Sequence, residues 1–240
     1  MNTTIETLLG HRSIRKFTKQ QLEPEQLDTI LKSGLAASSS SLLQVVSIIR
    51  VTDKNKRAQL SELAGNQPYV ATAAEFLVFC IDYHRHKVIN PNVNSDYTEL
   101  ALIGAIDAGI MAQNCLIAAE SLGLGGVYIG GLRNNAQKVD ELLELPSDTA
   151  VLFGMCLGYP AQDPELKPRL PQSVLVHENG YQPVDLNLIS EYDQVMHKYY
   201  AGRSSNAKQS SWSAQITNKL AGESRPHILG YLNHKGLVQR

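Results

Sequence analysis

The sequence predicts a mixed fold of helices and strands, of the α/β or α+β class, for three reasons. Helix-like and strand-like segments alternate along much of the 240 residues, as they do in both classes. Three apolar runs, at 45–53, 74–82 and 150–160, have the length and composition of strands. Residues 98–122 are apolar on nearly all sides and rich in glycine and alanine, which predicts a buried helix that other helices approach closely.

The first predicted helix is short and leads directly into a basic segment. Thr3 and Glu6 have the spacing of a capping box, and Gly10 is expected to end the helix. A second helix is predicted to begin at Pro24, because proline is favoured in the first turn. The four serines at 38–41 then form a loop or the start of a helix, and a loop is the commoner role of such a run.

The remaining segments continue the alternation. Residues 55–65 predict an amphipathic helix, and the polar stretch 84–97 is expected to connect the second strand to the long helix. A glycine-bounded strand and turn follow at 125–133, and a helix at 134–145. Residues 185–240 alternate helix-like segments with polar loops, and the sequence shows neither a repeat nor a clear domain linker.

The long helix carries one narrow polar stripe. Asp107, Asn114 and Ser121 recur at intervals of seven residues, which places them on one side of a helix. We interpret this helix as the central element of the fold and as a candidate contact surface for a second subunit.

Charge and cysteine content bound the class of protein. The chain has 22 basic and 23 acidic residues and a net charge of −1, so its overall charge gives no reason to expect a nucleic acid or an anionic membrane as partner. The three cysteines, Cys80, Cys115 and Cys156, each lie in an apolar run. We expect them to be reduced and buried in a cytoplasmic protein.

Neither a secretion signal nor a membrane span is expected. The first residues lack a basic stretch followed by an apolar one. The apolar stretch 100–122 contains Asp107, Gln113, Asn114 and Glu120, which are too many polar groups for a helix in the bilayer.

The segment GHRSIRKFT suggests an anion site. It holds four basic side chains in nine residues: His11, Arg12, Arg15 and Lys16. On a helical turn, a spacing of three would place both guanidinium groups on one side, with the Ser13 hydroxyl between them. Such a set of planar donors matches a phosphate. The plain alternative is a basic turn in solvent.

A second pair of cations lies in the segment LKPRLP. Pro168 and Pro171 favour an extended backbone there. In extended chain, residues two apart point to the same side, so Lys167 and Arg169 would form a second cationic fork. A surface connector is again the alternative, but two forks in a nearly neutral chain favour one shared anion.

The glycine-rich stretch before residue 135 does not match a dinucleotide-binding fingerprint. After Gly123 and Gly125 the third glycine would stand at 128, and that residue is Tyr128. Gly130 and Gly131 permit either a tight turn or the close approach of a flat ligand, and the pattern does not decide between them.

The protein itself offers no evident catalytic group. The chain has no G-x-S-x-G elbow, and its scattered histidines define no triad. His84 and His86 lack a suitably spaced third ligand, so no metal is expected. The cationic forks permit a phosphate-ester hydrolase, which would need a nucleophile or a metal that the sequence lacks. We therefore expect that a cofactor carries the chemistry.

Six segments together resemble the nitroreductase-like flavoprotein family over essentially the whole chain. They are IETLLGHRSIRKFT, ASSSSLLQVVSIIRVTD, AAEFLVFCIDYHRH, AAESLGLGGVYIGGLRNN, LFGMCLGYP and LKPRLP. The resemblance is to the branch of NADPH-dependent flavin reductases and oxygen-insensitive nitroreductases. It implies an α+β fold, an FMN-dependent α/β sandwich in which two chains intertwine as a homodimer around a central antiparallel sheet flanked by helices. It also implies a single domain, 1–240, with a mobile NADPH-binding loop around 200–212.

The resemblance further implies which residues bind the two nucleotides. The HRSIR and KPR segments would hold the FMN phosphate, Ser39 and Gln67 would bond the edge of the isoalloxazine ring, and the YIGG segment would lie along the flavin. Lysine replaces the arginine that relatives have at the second basic position of the NADPH loop, which keeps the charge but loses the bidentate fork. The implied FMN residues are His11, Arg12, Ser13, Arg15, Ser39, Gln67, Tyr128, Ile129, Gly130, Gly131, Lys167 and Arg169, and the implied NADPH residues are Arg203 and Lys208.

The activity implied is the reduction of free FMN by NADPH in a ping-pong reaction at N5 of bound FMN, with no catalytic side chain. The alternative within the family is a nitroreductase or quinone reductase, and a different class is a flavin-binding redox sensor without enzymatic activity. Expected partners are a second subunit and small electron acceptors, and a luciferase or another monooxygenase is a candidate recipient of the reduced flavin.

Overall fold

The polypeptide forms two compact units in the computed structural model, which describes residues 2–203 and 207–240. The first unit contains the described residues up to Pro164 together with His227–Arg240, and the second contains Glu165–Pro226. The assignment of the whole chain to a single domain stays a prediction.

A four-stranded antiparallel sheet forms the centre of the first unit. Its strands are β1 (Val46–Arg50), β2 (Glu75–Asp82), β3 (Gly125–Ile129) and β4 (Thr149–Gly158). The order across the sheet is β1-β2-β4-β3, and every neighbouring pair is antiparallel. The three strands predicted from apolar runs and the glycine-bounded strand are all present.

Helices flank the sheet and also supply the regular secondary structure described in the second unit. In chain order they are α1 (Thr3–Leu9), α2 (Pro24–Leu35), α3 (Lys54–Leu63), α4 (Tyr69–Thr72), α5 (His84–Ile89), α6 (Thr98–Ser121), α7 (Ala136–Leu143), α8 (Gln172–Leu175), α9 (Leu186–Ala201), α10 (Trp212–Leu220) and α11 (Ile228–His234). Helices α8, α9 and α10 belong to the second unit, and the others to the first.

Two details differ from the prediction. Asn2, rather than Thr3, caps α1, because its side chain accepts a hydrogen bond from a backbone N–H of the first turn at 3.0 Å. The stretch 84–97, predicted as a polar connector, contains α5. Tertiary contacts outweigh its polar composition, since Lys87 Nζ donates to Asp148 Oδ1 at 2.6 Å.

Strand β2 is buried on both faces, as its continuous apolar run predicts. Phe76 and Val78 pack into one core cluster, which includes residues of α3, α4, α7 and α11. Leu77 and Phe79 pack into a second cluster with α2 and α6. The sheet therefore lies between two layers of helices.

Helix α6 is the predicted long helix and lies against α2 and the sheet. Gly34 of α2 permits the close approach, since a Cβ there would lie 2.3 Å from Sγ of Cys115. By length and composition alone α6 could cross a membrane, a test that core helices also pass. Its outer face leaves Leu102, Ile106 and Ile110 exposed by 54%, 60% and 41%.

Candidate functional site

The basic segment after α1 lies along the edge of the sheet. Ile14 N–H donates to Gly126 O of β3 at 2.9 Å, and Thr18 N–H donates to Tyr159 O, just beyond β4, at 2.9 Å. Since these hydrogen bonds tie the segment to the sheet, its basic residues lie outside any helix. The condition for the two arginines to share one side of a helical turn is therefore not met in this segment.

Two basic side chains of this segment have carboxylate partners. His11 Nδ1 lies 2.6 Å from Glu120 Oε1 of α6, so the imidazole donates to that carboxylate. Arg12 Nη1 donates to Asp163 Oδ1 at 2.5 Å, while Arg12 Nε is buried and has no partner among the described residues. Arg15 is exposed and makes no ion pair with the residues that the structure describes, so its charge is available to a ligand.

A cleft of about 400 Å³ opens beside the basic segment. Within the segment Ser13 is half-buried and Lys16 is exposed. The cleft wall contains one guanidinium and two carboxylates, so an anion that binds there must compete with Asp163 for Arg12. Its lining includes Gly10, Arg12, Glu120, Gly125, Pro160 and Asp163.

The structure brings two other predicted site residues, Gln67 and Gly131, into contact. Gln67 Nε2 donates to Ala64 O at 2.6 Å, and its Oε1 accepts from the Tyr69 hydroxyl at 2.5 Å. A Cβ at Gly131 would lie 2.3 Å from Ala64 O and 2.4 Å from Gln67 Nε2, so no side chain fits there. A Cβ at Gly130 would lie no closer than 3.5 Å to any described residue other than its chain neighbours, the nearest being the Arg133 guanidinium. Contacts within the protein therefore account for the second glycine but not for the first.

Tyr128 and Ile129 point to opposite faces of β3. Ile129 is fully buried in the core, so only its backbone can reach a ligand. The Tyr128 hydroxyl donates to Gln113 Oε1 at 3.1 Å, and its ring packs edge-on against Phe153. Burial raises the pKa of Tyr128 above its ordinary value, and negative neighbours add to the shift. The phenol therefore stays neutral at physiological pH.

Ser39 lies in the serine loop, residues 38–44, directly before a 3-10 turn, Ser40–Leu42. Its hydroxyl donates to Asp107 Oδ2 of α6 at 2.8 Å and accepts from Gln44 N–H at 2.9 Å. Of the polar stripe of α6, Asp107 thus faces this loop, whereas Asn114 Nδ2 donates to Ser33 O of α2 at 3.2 Å. Sequence reasoning identified Asp107 only as a member of that stripe and not as a site residue.

The KPR segment belongs to the second unit. Lys167 and Arg169 are both exposed, and Arg169 Nη1 donates back to Lys167 O at 2.9 Å. The intervening Pro168 accepts a hydrogen bond from the Tyr192 hydroxyl at 3.0 Å. This bond fixes the backbone between the two cations and leaves their charged groups at the surface.

The predicted NADPH-binding loop is described in part, because residues 204–206 lie outside the described residues. The Arg203 guanidinium lies 5.8 Å from the ring centre of Tyr199, and Lys208 Nζ lies 4.5 Å from that of Tyr200. Both tyrosines belong to the end of α9, so cation–π contacts tether the two predicted cations to that helix.

The two histidines considered for metal binding lie on α5. His86 Nε2 is 2.8 Å from Leu43 O, which engages the ring in a hydrogen bond. Among the described residues, no group of three or more histidine, cysteine, aspartate or glutamate side chains is arranged to hold a metal ion.

Family models match nearly all of the chain. Residues 8–159 match the model described as Nitroreductase family, and residues 167–240 match that of the Nitroreductase family, C-terminal domain.

Full-length relatives and solved structures agree with these matches. The NADPH-flavin oxidoreductase of Vibrio harveyi is 68% identical over 240 residues, and the oxygen-insensitive NADPH nitroreductase of Salmonella typhimurium is 50% identical, each over 100% of both chains. The structure of nitroreductase A from Vibrio parahaemolyticus gives a TM-score of 0.97 at 69% identity. That of the NADPH:FMN oxidoreductase from Vibrio harveyi complexed with NAD⁺ gives 0.95 at 66% identity, and both comparisons cover 100% of each chain.

Proposed function

Because this chain belongs to the nitroreductase family, we propose that it is an FMN-containing NADPH:flavin oxidoreductase that reduces free FMN. The α+β nitroreductase fold predicted from the sequence is confirmed by these matches. The observation that carries the proposal is the 68% identity, without truncation of either chain, to a relative named NADPH-flavin oxidoreductase.

The residues of the first unit fit FMN. Among the described residues, the buried Arg12 Nε has no hydrogen-bond partner and Arg15 makes no ion pair. We propose that the cationic and hydroxyl groups of the HRSIR segment bind the FMN phosphate. Lys167 and Arg169 of the second unit stay predicted FMN ligands. Gln67 uses one of its two amide N–H groups on Ala64, so the other remains for the ring edge.

When bound, FMN would supply the redox chemistry, the transfer of two electrons from NADPH to an acceptor. The protein's part is to bind and orient the flavin. Ser39 and Gln67 would hold the ring edge, and the backbone of residues 128–131 would lie along the ring. The neutral Tyr128 phenol places no negative charge beside the site. Since one ring face serves donor and acceptor in turn, the kinetics are ping-pong.

We assign the 2′-phosphate of NADPH to Arg203 and Lys208. Both side chains lie against tyrosine rings at the end of α9. A guanidinium on an aromatic face keeps its N–H edge free for a phosphate, whereas the lysine contributes a point charge. This pairing supports a preference for NADPH over NADH.

The active form we propose is a homodimer in the cytoplasm. Leu102, Ile106 and Ile110 recur at intervals of four and form one exposed apolar stripe on α6. Exposed contiguous apolar surface of this kind marks interaction sites. A second copy of the chain is the proposed cover, and the three buried free cysteines support a reducing compartment.

A nitroreductase or quinone reductase is the second candidate function. The 50% identity to the Salmonella typhimurium nitroreductase and the likeness to nitroreductase A of Vibrio parahaemolyticus favour it. A luciferase or other monooxygenase remains a proposed recipient of reduced flavin for the first function.

Steady-state kinetics distinguish these functions. NADPH and NADH are each offered with FMN, a nitrofuran and a quinone, and the kcat/KM values are compared. A flavin reductase gives its highest value with NADPH and FMN, and parallel double-reciprocal lines. A yellow protein that consumes no NADPH with any acceptor is a flavin-binding sensor, and a colourless one overturns the proposal.

A further inference from the structure

Asp107 is a buried charge in the middle of an apolar helix. Between Glu99 and Glu120 it is the sole Asp, Glu, Lys or Arg of α6. It is 4% exposed, and no cation pairs with it among the described residues. A buried carboxylate without a counter-ion is unfavourable unless hydrogen bonds satisfy it.

The hydrogen bonds of Asp107 come from the serine loop. Ser39 Oγ donates to Oδ2 at 2.8 Å, and Ser40 N–H is shared between Oδ1 at 3.2 Å and Oδ2 at 3.1 Å. The charge thus acts on one short segment that is distant in sequence and is predicted to meet the flavin.

The same loop has an unfavourable backbone. Ser41, Leu42 and Gln44 have φ values of 48°, 55° and 54°, in the left-handed region that non-glycine residues avoid. The Leu42 side chain is 75% exposed, so core burial does not compensate for its conformation. Such strain persists where surrounding contacts over-determine it, and it is concentrated at ligand sites.

The contacts also fix the hydrogen-bonding polarity of Ser39. A hydroxyl has one donor and two acceptor positions. Asp107 takes the donor, because an ionised carboxylate only accepts, and Gln44 N–H occupies one acceptor position. Toward a ligand the Ser39 hydroxyl therefore offers one lone pair and no proton.

We propose that Asp107 is a positioning residue for the flavin, holding the strained serine loop and presenting Ser39 as an acceptor to the N–H of the ring edge. The inference rests on the proposed binding of FMN. It explains why an ionised side chain is kept within α6, and it restricts Ser39 to the N–H rather than the carbonyl groups of the ring.

Asp107→Asn tests this directly, because the amide has nearly the same shape as the carboxylate but has a hydrogen-bond donor, Nδ2, in place of one acceptor oxygen. With Oδ1 still accepting from Ser40, Nδ2 would donate to Ser39 Oγ and fill its last acceptor position. The dissociation constant of FMN, measured from the fluorescence of flavin released on dilution of the holoprotein, is expected to rise about tenfold.

Ser39→Ala gives the second readout. In the otherwise unchanged protein it should also weaken FMN binding about tenfold, whereas in the Asp107→Asn background it should change the dissociation constant less than about twofold. Independent contributions of the two side chains to FMN binding would give additive effects. The single Ser39→Ala variant keeps the test decisive if Asp107→Asn does not fold, because unchanged FMN binding in it overturns the inference.

Asp82→Asn is the matched control. Asp82 is also a mostly buried aspartate that accepts from a serine hydroxyl, that of Ser47, at 2.5 Å. Its replacement should lower the melting temperature without changing FMN affinity. Wild-type affinity in Asp107→Asn, or additive effects in the double variant, overturns the inference alone. Failure of the unchanged protein to bind FMN overturns the proposed function and the inference with it.

Discussion

Replacement of Arg15 by alanine is expected to produce a protein that loses its flavin. Arg15 is the guanidinium of the HRSIR segment that makes no ion pair with the described residues, whereas Arg12 is held by Asp163 and His11 by Glu120. Its whole charge is therefore available to the FMN phosphate. The neighbouring Lys16 is equally exposed but is not predicted to contact the cofactor.

The expected change in FMN affinity follows from the surroundings of Arg15 and of Arg12. A hydrogen bond to a charged group contributes about 1.5–3 kcal/mol, and exposure of Arg15 to solvent places it at the lower end. Loss of about 1.5–2 kcal/mol corresponds to a 10- to 30-fold increase in the FMN dissociation constant. Arg12 must first leave Asp163, whose side chain is 86% exposed, and such a surface pair is worth under about 1 kcal/mol. Asp163→Asn should therefore strengthen FMN binding, by less than about fivefold.

The assay is the flavin content of the purified protein together with the FMN dissociation constant at two salt concentrations. Added salt should weaken FMN binding more in the unchanged protein than in Arg15→Ala, because the variant has lost a charge interaction that salt screens. Lys16→Ala is the control for net charge. If Lys16→Ala and Arg15→Ala weaken FMN binding equally, only general charge matters and the assignment of Arg15 to the phosphate is wrong.

Three further expectations concern other parts of the molecule. Arg203→Ala should raise the KM for NADPH about tenfold with little change in kcat, and an unchanged KM would remove the loop from the NADPH site. Burial raises the pKa of Cys80 to about 12 and that of Cys115 to about 11, so the native thiols should stay unreactive toward a thiol reagent at pH 8 until the protein unfolds; rapid labelling would contradict this. Burial alone would raise the pKa of Asp148, but hydrogen bonds, first that of Lys87, lower it overall. The ionised Asp148 therefore stabilises the fold above its unfolded pKa of about 3.9, and this stabilisation is lost as the pH falls through the folded pKa. Asp148→Asn should make the melting temperature less dependent on pH on the acid side. An equal slope in both proteins would refute the linkage.

The sheet and the long helix could be predicted because their signals are local. A continuous apolar run such as that of β2 predicts a strand buried on both faces, and the long apolar stretch of α6 predicts a helix that packs against other elements. The short α5 could not be predicted, because its polar sequence is held by contacts such as Lys87 with Asp148, which are 61 residues apart. The non-helical course of HRSIR could not be predicted for the same reason, because the Ile14 N–H donates to Gly126 O of β3, more than a hundred residues later in the chain.

The acidic partners of the site are also non-local, and they change what the basic segment can do. Glu120 is 109 residues from His11, and its side chain is only 11% exposed, whereas the Asp163 side chain is 86% exposed. Separation of a mostly buried pair leaves an uncompensated charge, whereas an exposed pair exchanges partners at small cost. Binding of a phosphate should therefore displace Asp163 from Arg12 and leave the pair of His11 and Glu120 intact. His11 would then meet the phosphate through Nε2 alone, oriented by Glu120 at its other nitrogen.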